Sequence, residues 1–175
     1  MKTIVLYQSK YGSTKQYAEW IAEALGCEAK NAKKVKAEEL APYDAIVYGG
    51  GLYAEIIAGV TLITKNFAAL KDKKIAVFTT GITPMEYREY YDEMVIEKNF
   101  KPEMTEKIRI FNYPGKMILK ELSLPHKAAL IGLKKIMSAK ENPTDMEKLL
   151  IELCDADGDF SDQSLIGELV DYIKE

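Results

Sequence analysis

The chain has 175 residues, 47% hydrophobic and 29% charged, a length that suits one domain with its own core and is short for two. A formal net charge of -3 lays no basic footprint over the whole chain, which argues against nucleic-acid binding. No apolar stretch approaches the roughly 20 residues of a membrane-spanning helix, so no integral membrane segment is expected.

Met1 and Lys2 lead straight into 3–8 (Thr-Ile-Val-Leu-Tyr-Gln), with no basic and apolar leader before it, and the expected location is the cytoplasm. The run is short, β-branched and almost continuously apolar, the pattern of a central strand buried on both faces of a parallel sheet. A helix follows, in which Thr14, Ala18, Ile21 and Leu25 form one stripe toward the sheet while Lys15, Gln16, Glu19 and Glu23 are left to water. It ends near Gly26. Residues 27–31 give a weak strand, and 37–40 a short helical piece closed by Pro42. Residues 45–48 (Ala-Ile-Val-Tyr) form a second strong strand entering Gly49, Gly50 and Gly51. Val60, Ile63, Phe67 and Leu70 predict a helix over 59–70, and 74–80 is the third strong strand, ending at Gly81. Residues 85–100 read as a helix with Tyr87, Tyr91, Met94 and Val95 on one side. The last strand is 108–111, and 165–173 is the closing helix, capped by Ser161 or Asp162.

Alternation of this kind implies a parallel sheet with helices on both faces, and ligands at the carboxyl ends of its strands. All three strong strands end in small or hydroxylic residues, at 9–14, 49–53 and 79–83. Ser9-Lys10-Tyr11-Gly12-Ser13-Thr14 lies between a strand and a helix start, where unpaired backbone N–H groups and the positive dipole end suit a phosphate dianion. The nucleoside-triphosphate loop and Gly-x-Gly-x-x-Gly are both absent there, which disfavours a triphosphate or a dinucleotide. The plainer alternative is that the hydroxyls merely cap a helix. Gly-Gly-Gly at one strand end argues for close approach of a flat ligand, because a sheet without one has no general need of it.

Ser9, Gly12 and Thr14 match the Ser/Thr-x-x-Gly-x-Thr loop of flavodoxins, and the chain resembles the flavodoxin family over nearly its whole length apart from an insertion. The resemblance implies an α/β three-layer sandwich around a five-stranded parallel sheet of order 2-1-3-4-5. It also implies a single domain over 1–175 with an insertion at about 114–147, and flavin mononucleotide (FMN) as cofactor. By resemblance Ser9, Lys10, Tyr11, Gly12, Ser13 and Thr14 wrap its phosphate. Gly50, Gly51, Leu52, Tyr53 and Ala54, with Thr80, Gly81, Ile82 and Thr83, flank the isoalloxazine ring. Tyr53 is the expected stacking aromatic, worth roughly 0.5 to 1.5 kcal/mol beyond area burial. The Gly50–Gly51 peptide is expected to reorient toward a reduced flavin nitrogen. The third loop lacks the tyrosine that many flavodoxins place there, leaving one ring face open or covered by Met85. The ring-side loops carry only Glu55 and Glu86, which implies a potential less negative than in flavodoxin carriers.

Residues 101–140 hold nine Lys or Arg against three Glu, a local balance of +6 that leaves -9 elsewhere. Interleaved Met117, Ile118, Leu119, Leu122, Leu124, Leu130, Ile131, Leu133, Ile136 and Met137 make the stretch amphipathic. It resembles an insertion in menaquinone-linked protoporphyrinogen oxidases, where a quinone or membrane surface must be reached, so peripheral membrane contact through 114–140 stays open. The simpler expectation is an extra helix on the last strand with its lysines in solvent.

Other motifs carry less. Gly49-Gly50-Gly51-Leu52-Tyr53-Ala54 matches Gly-x-Gly-x-x-Ala but lacks the acidic partner at a strand end. Asp155, Asp157, Asp159 and Asp162 lack the glycine and glutamate of a calcium loop. Cys27 and Cys154 show no metal or redox spacing, and the lone His126 reads as a surface or packed histidine. A phospho-accepting receiver needs acids at strand ends occupied here by Gln8-Ser9 and Tyr48-Gly49. The expectation is therefore an FMN-binding electron carrier between redox partner proteins or toward a small-molecule acceptor. The alternatives are a flavin-dependent oxidoreductase (protoporphyrinogen oxidase-like or quinone reductase) whose insertion shapes a substrate pocket, and a cofactor-free interaction module.

Overall fold

Buried strands with side chains alternating between two faces need a core on each side. In the computed structural model, which describes residues 1–87 and 90–175, the elements run β1 (Thr3–Gln8), α1 (Ser13–Leu25), β2 (Ala29–Asn31), β3 (Ala45–Tyr53), β4 (Ile56–Ile57), α2 (Thr61–Thr64), α3 (Phe67–Leu70) and β5 (Lys74–Gly81). A π-helical stretch, Tyr90–Ile96, continues into α4 (Glu97–Asn99), followed by α5 (Pro102–Thr105) and β6 (Ile108–Pro114). Then come β7 (Lys116–Met117), α6 (Leu124–Ser138), α7 (Asp145–Leu153), β8 (Gly158–Asp159) and α8 (Gly167–Lys174).

The main sheet has the order β2-β1-β3-β5-β6 with every one of these pairings parallel, which is the five-stranded 2-1-3-4-5 arrangement of the α/β flavodoxin-like fold; β4 adds to β3 antiparallel. Alternation along each strand feeds two separate clusters. Ile4, Leu6, Ile46, Tyr48, Ile75 and Val77 face the short helices and the π-helical stretch, meeting Leu40, Ile63, Leu70, Tyr91 and Val95. Val5, Val47, Ala76, Phe78 and Tyr113 face α1 and α8 through Tyr17, Ala18, Ile21, Leu169 and Ile173. Each large side chain buried in this way contributes about 1.5–3 kcal/mol of transfer free energy. Asp162 closes the chain's last connection, its carboxylate accepting from Ser164 N–H at 2.9 Å while its own N–H donates to Tyr17 Oη at 2.9 Å.

Two expected helices differ. The 59–70 segment breaks into α2 and α3, with Asn66 non-helical between them and its amide donating to the Leu62 carbonyl at 2.9 Å. In 85–100 a π-helical stretch replaces regular helix, and its extra residue per turn buries Tyr91 and Val95 while Met94 stays 41% exposed. The part of that segment at 88 and 89 lies outside the described residues.

Candidate functional site

β1, β3 and β5 are parallel neighbours in register, Gln8 beside Gly50 and Gly51 beside Thr80, so the turns after them emerge at one edge of the sheet. After β1 the chain turns through Gly12 at φ 100°, a left-handed conformation that side chains resist, and enters α1. Ser9 Oγ accepts from Gly12 N–H at 3.0 Å and so holds the turn. α1 has no side-chain cap, and among the described residues the N–H groups of Ser13, Thr14 and Lys15 find no acceptor. These are the free donors that a helix start offers an anion. The Ser13 and Thr14 side chains are buried beneath them. Thr14 Oγ1 and Thr80 Oγ1 share a hydrogen bond of 2.7 Å, tying the first loop to the third. Ser13 Oγ accepts from Lys116 N–H at 2.9 Å and keeps its own hydroxyl proton for another acceptor.

The second loop departs from expectation. Gly50 and Gly51 are not loop residues: β3 runs on to Tyr53, with both glycines laddered to β5. Their peptide is part of the sheet, and the Gly51 carbonyl accepts from Ala58 N–H at 2.9 Å. The reason for the glycine run is packing. A Cβ on Gly49 would sit 2.1 Å from Phe78 Cζ, and one on Gly50 would sit 2.5 Å from Ile57 Cγ2 and 2.7 Å from the Ala58 carbonyl oxygen. The turn itself is the two-residue hairpin loop Ala54-Glu55, whose φ values of 47° and 62° are those of a type I′ turn without the usual Asn-Gly. Left-handed non-glycine residues cost about 1–2 kcal/mol each. Asn99 holds the turn from outside, donating to the Glu55 carbonyl at 2.6 Å and accepting from Ile57 N–H at 2.9 Å, and Lys98 pairs with the Glu55 carboxylate at 2.8 Å.

In the third loop Thr80 and Thr83 are buried, Gly81 and Ile82 half-buried, and Met85 is 39% exposed. Tyr91 Oη donates to the Thr83 carbonyl at 2.5 Å, and Gly115 N–H donates to the Gly81 carbonyl at 2.7 Å. Leu52 and Tyr53 are half-buried, and burial pushes the Tyr53 phenol up to about 12, so Tyr53 is a neutral aromatic.

A second set of residues reaches this edge from the segment after β6. Tyr11 Oη lies 2.7 Å from His126 Nδ1 and 3.3 Å from Ser123 Oγ, and it accepts from Ser123 N–H at 3.2 Å. Lys10 Nζ donates to Ser123 Oγ at 3.1 Å and lies 3.4 Å from His126 Nε2. The imidazole also meets Tyr53, with ring centroids 5.0 Å apart. Burial opposes ionisation of the Tyr11 phenol, yet its hydrogen bonds with Ser123 and the Lys10 charge outweigh that and lower its pKa. Burial first and Lys10 second lower that of His126. The expected helix on the last strand is thus corrected: α6 packs on α7, and its first turn lies on the phosphate-type loop. His126 is a site residue that local sequence did not reveal, for its partners Lys10 and Tyr11 are more than a hundred residues away.

Lys116 Nζ would lie 3.3 Å from a Cβ on Gly12, so its ammonium overhangs the start of α1. The four aspartates of the false calcium motif are spent on structure: Asp155 on Lys134, Asp157 on Leu119 N–H, Asp159 on Ser161 N–H and Asp162 on its turn. Of two shallow depressions, one, lined by Thr64, Asn99 and Phe100, lies behind the Ala54-Glu55 turn that Asn99 holds, and the other is lined by Ile110, Tyr172 and residues 105–109.

The sequence profile of the flavodoxin domain family matches residues 4–147, which takes in all three strand-end loops and α6. The chain belongs to the flavodoxin family. Among solved structures it is similar to oxidised Flavodoxin 2 from Bacillus cereus, at 22% identity over 64% of this chain and 84% of that one, with a TM-score of 0.41. It is similar to a flavodoxin from the domain Archaea at 19% identity over 100% of both chains, with a TM-score of 0.42. It is also similar to a flavoprotein in complex with FMN from Lactobacillus acidophilus NCFM, at 17% identity over 65% of this chain and 92% of that one, with a TM-score of 0.40. No curated protein matches the chain. The span matched by the family profile also takes in Lys116, Ser123 and His126, which reach the first loop from the segment after β6.

Proposed function

We propose that the protein binds one FMN noncovalently at the edge formed by the β1–α1, β3–β4 and β5 loops, and serves as an electron carrier. The observation that carries this reading is the uncapped start of α1. Three N–H donors, Gly12 in a conformation open to close approach, and the hydroxyls of Ser9, Ser13 and Thr14 meet there, with Lys116 above them. That donor set fits a phosphate monoester. Leu52, Tyr53, Gly81 and Ile82 offer the apolar and aromatic surface that suits a flat ring. When bound, FMN supplies one- and two-electron redox chemistry. The chain's part is to hold the phosphate, to present the neutral Tyr53 face, and to shield the ring edge with α6. Redox partner proteins or a small-molecule acceptor would then meet the exposed rim. No described helix is long and apolar enough to cross a membrane.

A second reading, a flavin-dependent reductase of a quinone-like molecule, draws on His126. A neutral imidazole hydrogen-bonded to Tyr11 beside Tyr53 can hold or pass a proton, which a pure carrier does not need.

Titration of the purified protein with FMN, followed by flavin absorbance and fluorescence, tests the first reading. Perturbed bands and a saturable curve are expected, with affinity falling at least tenfold in the Ser13→Ala, Thr14→Ala double variant, about the effect of losing one charge-assisted hydrogen bond. Absence of binding by the parent protein would refute the reading. Turnover of a quinone by the FMN-loaded protein that falls in His126→Ala at unchanged FMN affinity would favour the reductase.

A further inference from the structure

We propose that Lys116 is a phosphate-recognising residue that makes this site select FMN over flavin without a phosphate. The inference rests on the FMN reading above and adds to it a residue outside the three strand-end loops.

The placement of Lys116 is over-determined. Its backbone N–H donates to Ser13 Oγ at 2.9 Å, the preceding Gly115 N–H donates to the Gly81 carbonyl at 2.7 Å, and Phe160 N–H donates to the Gly115 carbonyl at 3.1 Å. Pairing of Lys116 with Asp159 in the β7–β8 ribbon fixes the same point from the other side. Gly115 is buried against Ser13 and Gly81, and a Cβ there would lie 3.3 Å from Ser13 Oγ. The side chain that leaves this anchor is half-buried and reaches over Gly12.

Charge makes the arrangement informative. A helix start carries positive potential, which disfavours a cation and favours an anion. Yet the ammonium held over this helix start is that of Lys116, and among the described residues it has neither a carboxylate within ion-pair distance nor a hydrogen-bond acceptor. In the same segment Lys134 pairs with Asp155, Lys140 with Glu147 and Lys148 with Asp145, while Lys120, Lys127 and Lys135 have no carboxylate partner among the described residues; Lys116 differs from these in lying over the start of α1. Lys10, the other cation of the loop, is turned toward Ser123 and His126. The ammonium of a half-buried lysine beside a helix start with three unpaired N–H groups is an electrostatic conflict that a dianion between them resolves. A phosphate monoester has the charge and the acceptor count to meet both sets of donors.

FMN and riboflavin share the ring and differ in the phosphate, so the test compares them. Both are titrated by fluorescence into the parent protein, Lys116→Gln and Lys116→Arg, at low and high salt. The proposal expects Lys116→Gln to lose about tenfold or more in FMN affinity, with riboflavin affinity unchanged, Lys116→Arg to keep most of the preference, and the loss to shrink as salt rises. Unchanged riboflavin binding also reports that the variant is folded. FMN affinity equal to the parent's, or equal losses for both flavins, would overturn the role of Lys116 while leaving the FMN site standing. A parent protein that binds neither flavin overturns the FMN reading and this proposal with it.

Discussion

The strand-end loops stand on backbone ladders, whereas the segment from Gly115 to Asp162 lies over them mainly through side-chain hydrogen bonds. β3 and β5 are buried along almost their whole length, and Gly49 and Gly50 admit no larger residue without a clash. α6 and α7, by contrast, bury none of their residues fully, and Leu124, Ile131 and Ile136 are 82%, 70% and 66% exposed. The sheet side of the site should therefore open only with global unfolding, and the overlying side by local opening at lower free energy. Under the proposed FMN reading, entry of the flavin would need only the second.

Glycine substitutions test this difference at its largest. Gly49→Ala drives a Cβ into the Phe78 ring at 2.1 Å in the central strand, and should cost about 3 kcal/mol or more in a denaturant melt, the range of severe overpacking. Gly132→Ala, in α6 with nothing within 4 Å, should instead stabilise by up to about 1 kcal/mol, the difference in helix propensity. Similar costs at both sites would erase the distinction.

The same difference governs what could be seen in the sequence. The three central strands were legible because burial on both faces leaves continuous apolar runs. The edge strand β2, by contrast, is exposed at Lys30 and Asn31 and gave only a weak signal, and the strand order came from the resemblance to flavodoxins. The glycine run was legible as a special place, but its reason was hidden: Phe78 and Ala58 press on it from neighbouring segments, and no local pattern encodes that. The strained Ala54-Glu55 turn was equally silent, since neither residue is a turn former and Asn99, 44 positions on, holds it. Ser9, Gly12 and Thr14 stood out because their motif is contiguous in sequence. His126 and Lys116 did not, because they meet Tyr11 and Gly12 only through tertiary folding of a stretch whose own signal is basic amphipathic helix.

Removing the link between the two regions is a medium-sized perturbation. Tyr11→Phe deletes the hydroxyl that contacts His126 Nδ1 at 2.7 Å and takes the Ser123 N–H at 3.2 Å. Net hydrogen-bond contributions put the cost at about 0.5–1.5 kcal/mol. Its location matters more than its size. Amide exchange should accelerate in α6, with β3 and β5 protected as before; uniform acceleration would mean that the two regions unfold together.

The smallest effect is the most specific, because the chain has a single histidine. Burial, and then the Lys10 ammonium, lower the His126 pKa in the folded protein, and Tyr11, Ser123 and Tyr53 are its neutral neighbours. The unfolded chain then binds the proton more tightly, so the stability this ring contributes is complete above its ordinary pKa. That contribution is lost as pH falls from the ordinary value through the lowered one, where protonation would set a second cation beside Lys10. Proton NMR of the imidazole should show a titration below the ordinary histidine range. Lys10→Met should move it upward by only part of the depression, since burial is the larger cause and remains. A pKa indifferent to Lys10 would place the histidine away from Lys10 in solution, and the link between the two regions would have to rest on Ser123, Gly115 and Lys116.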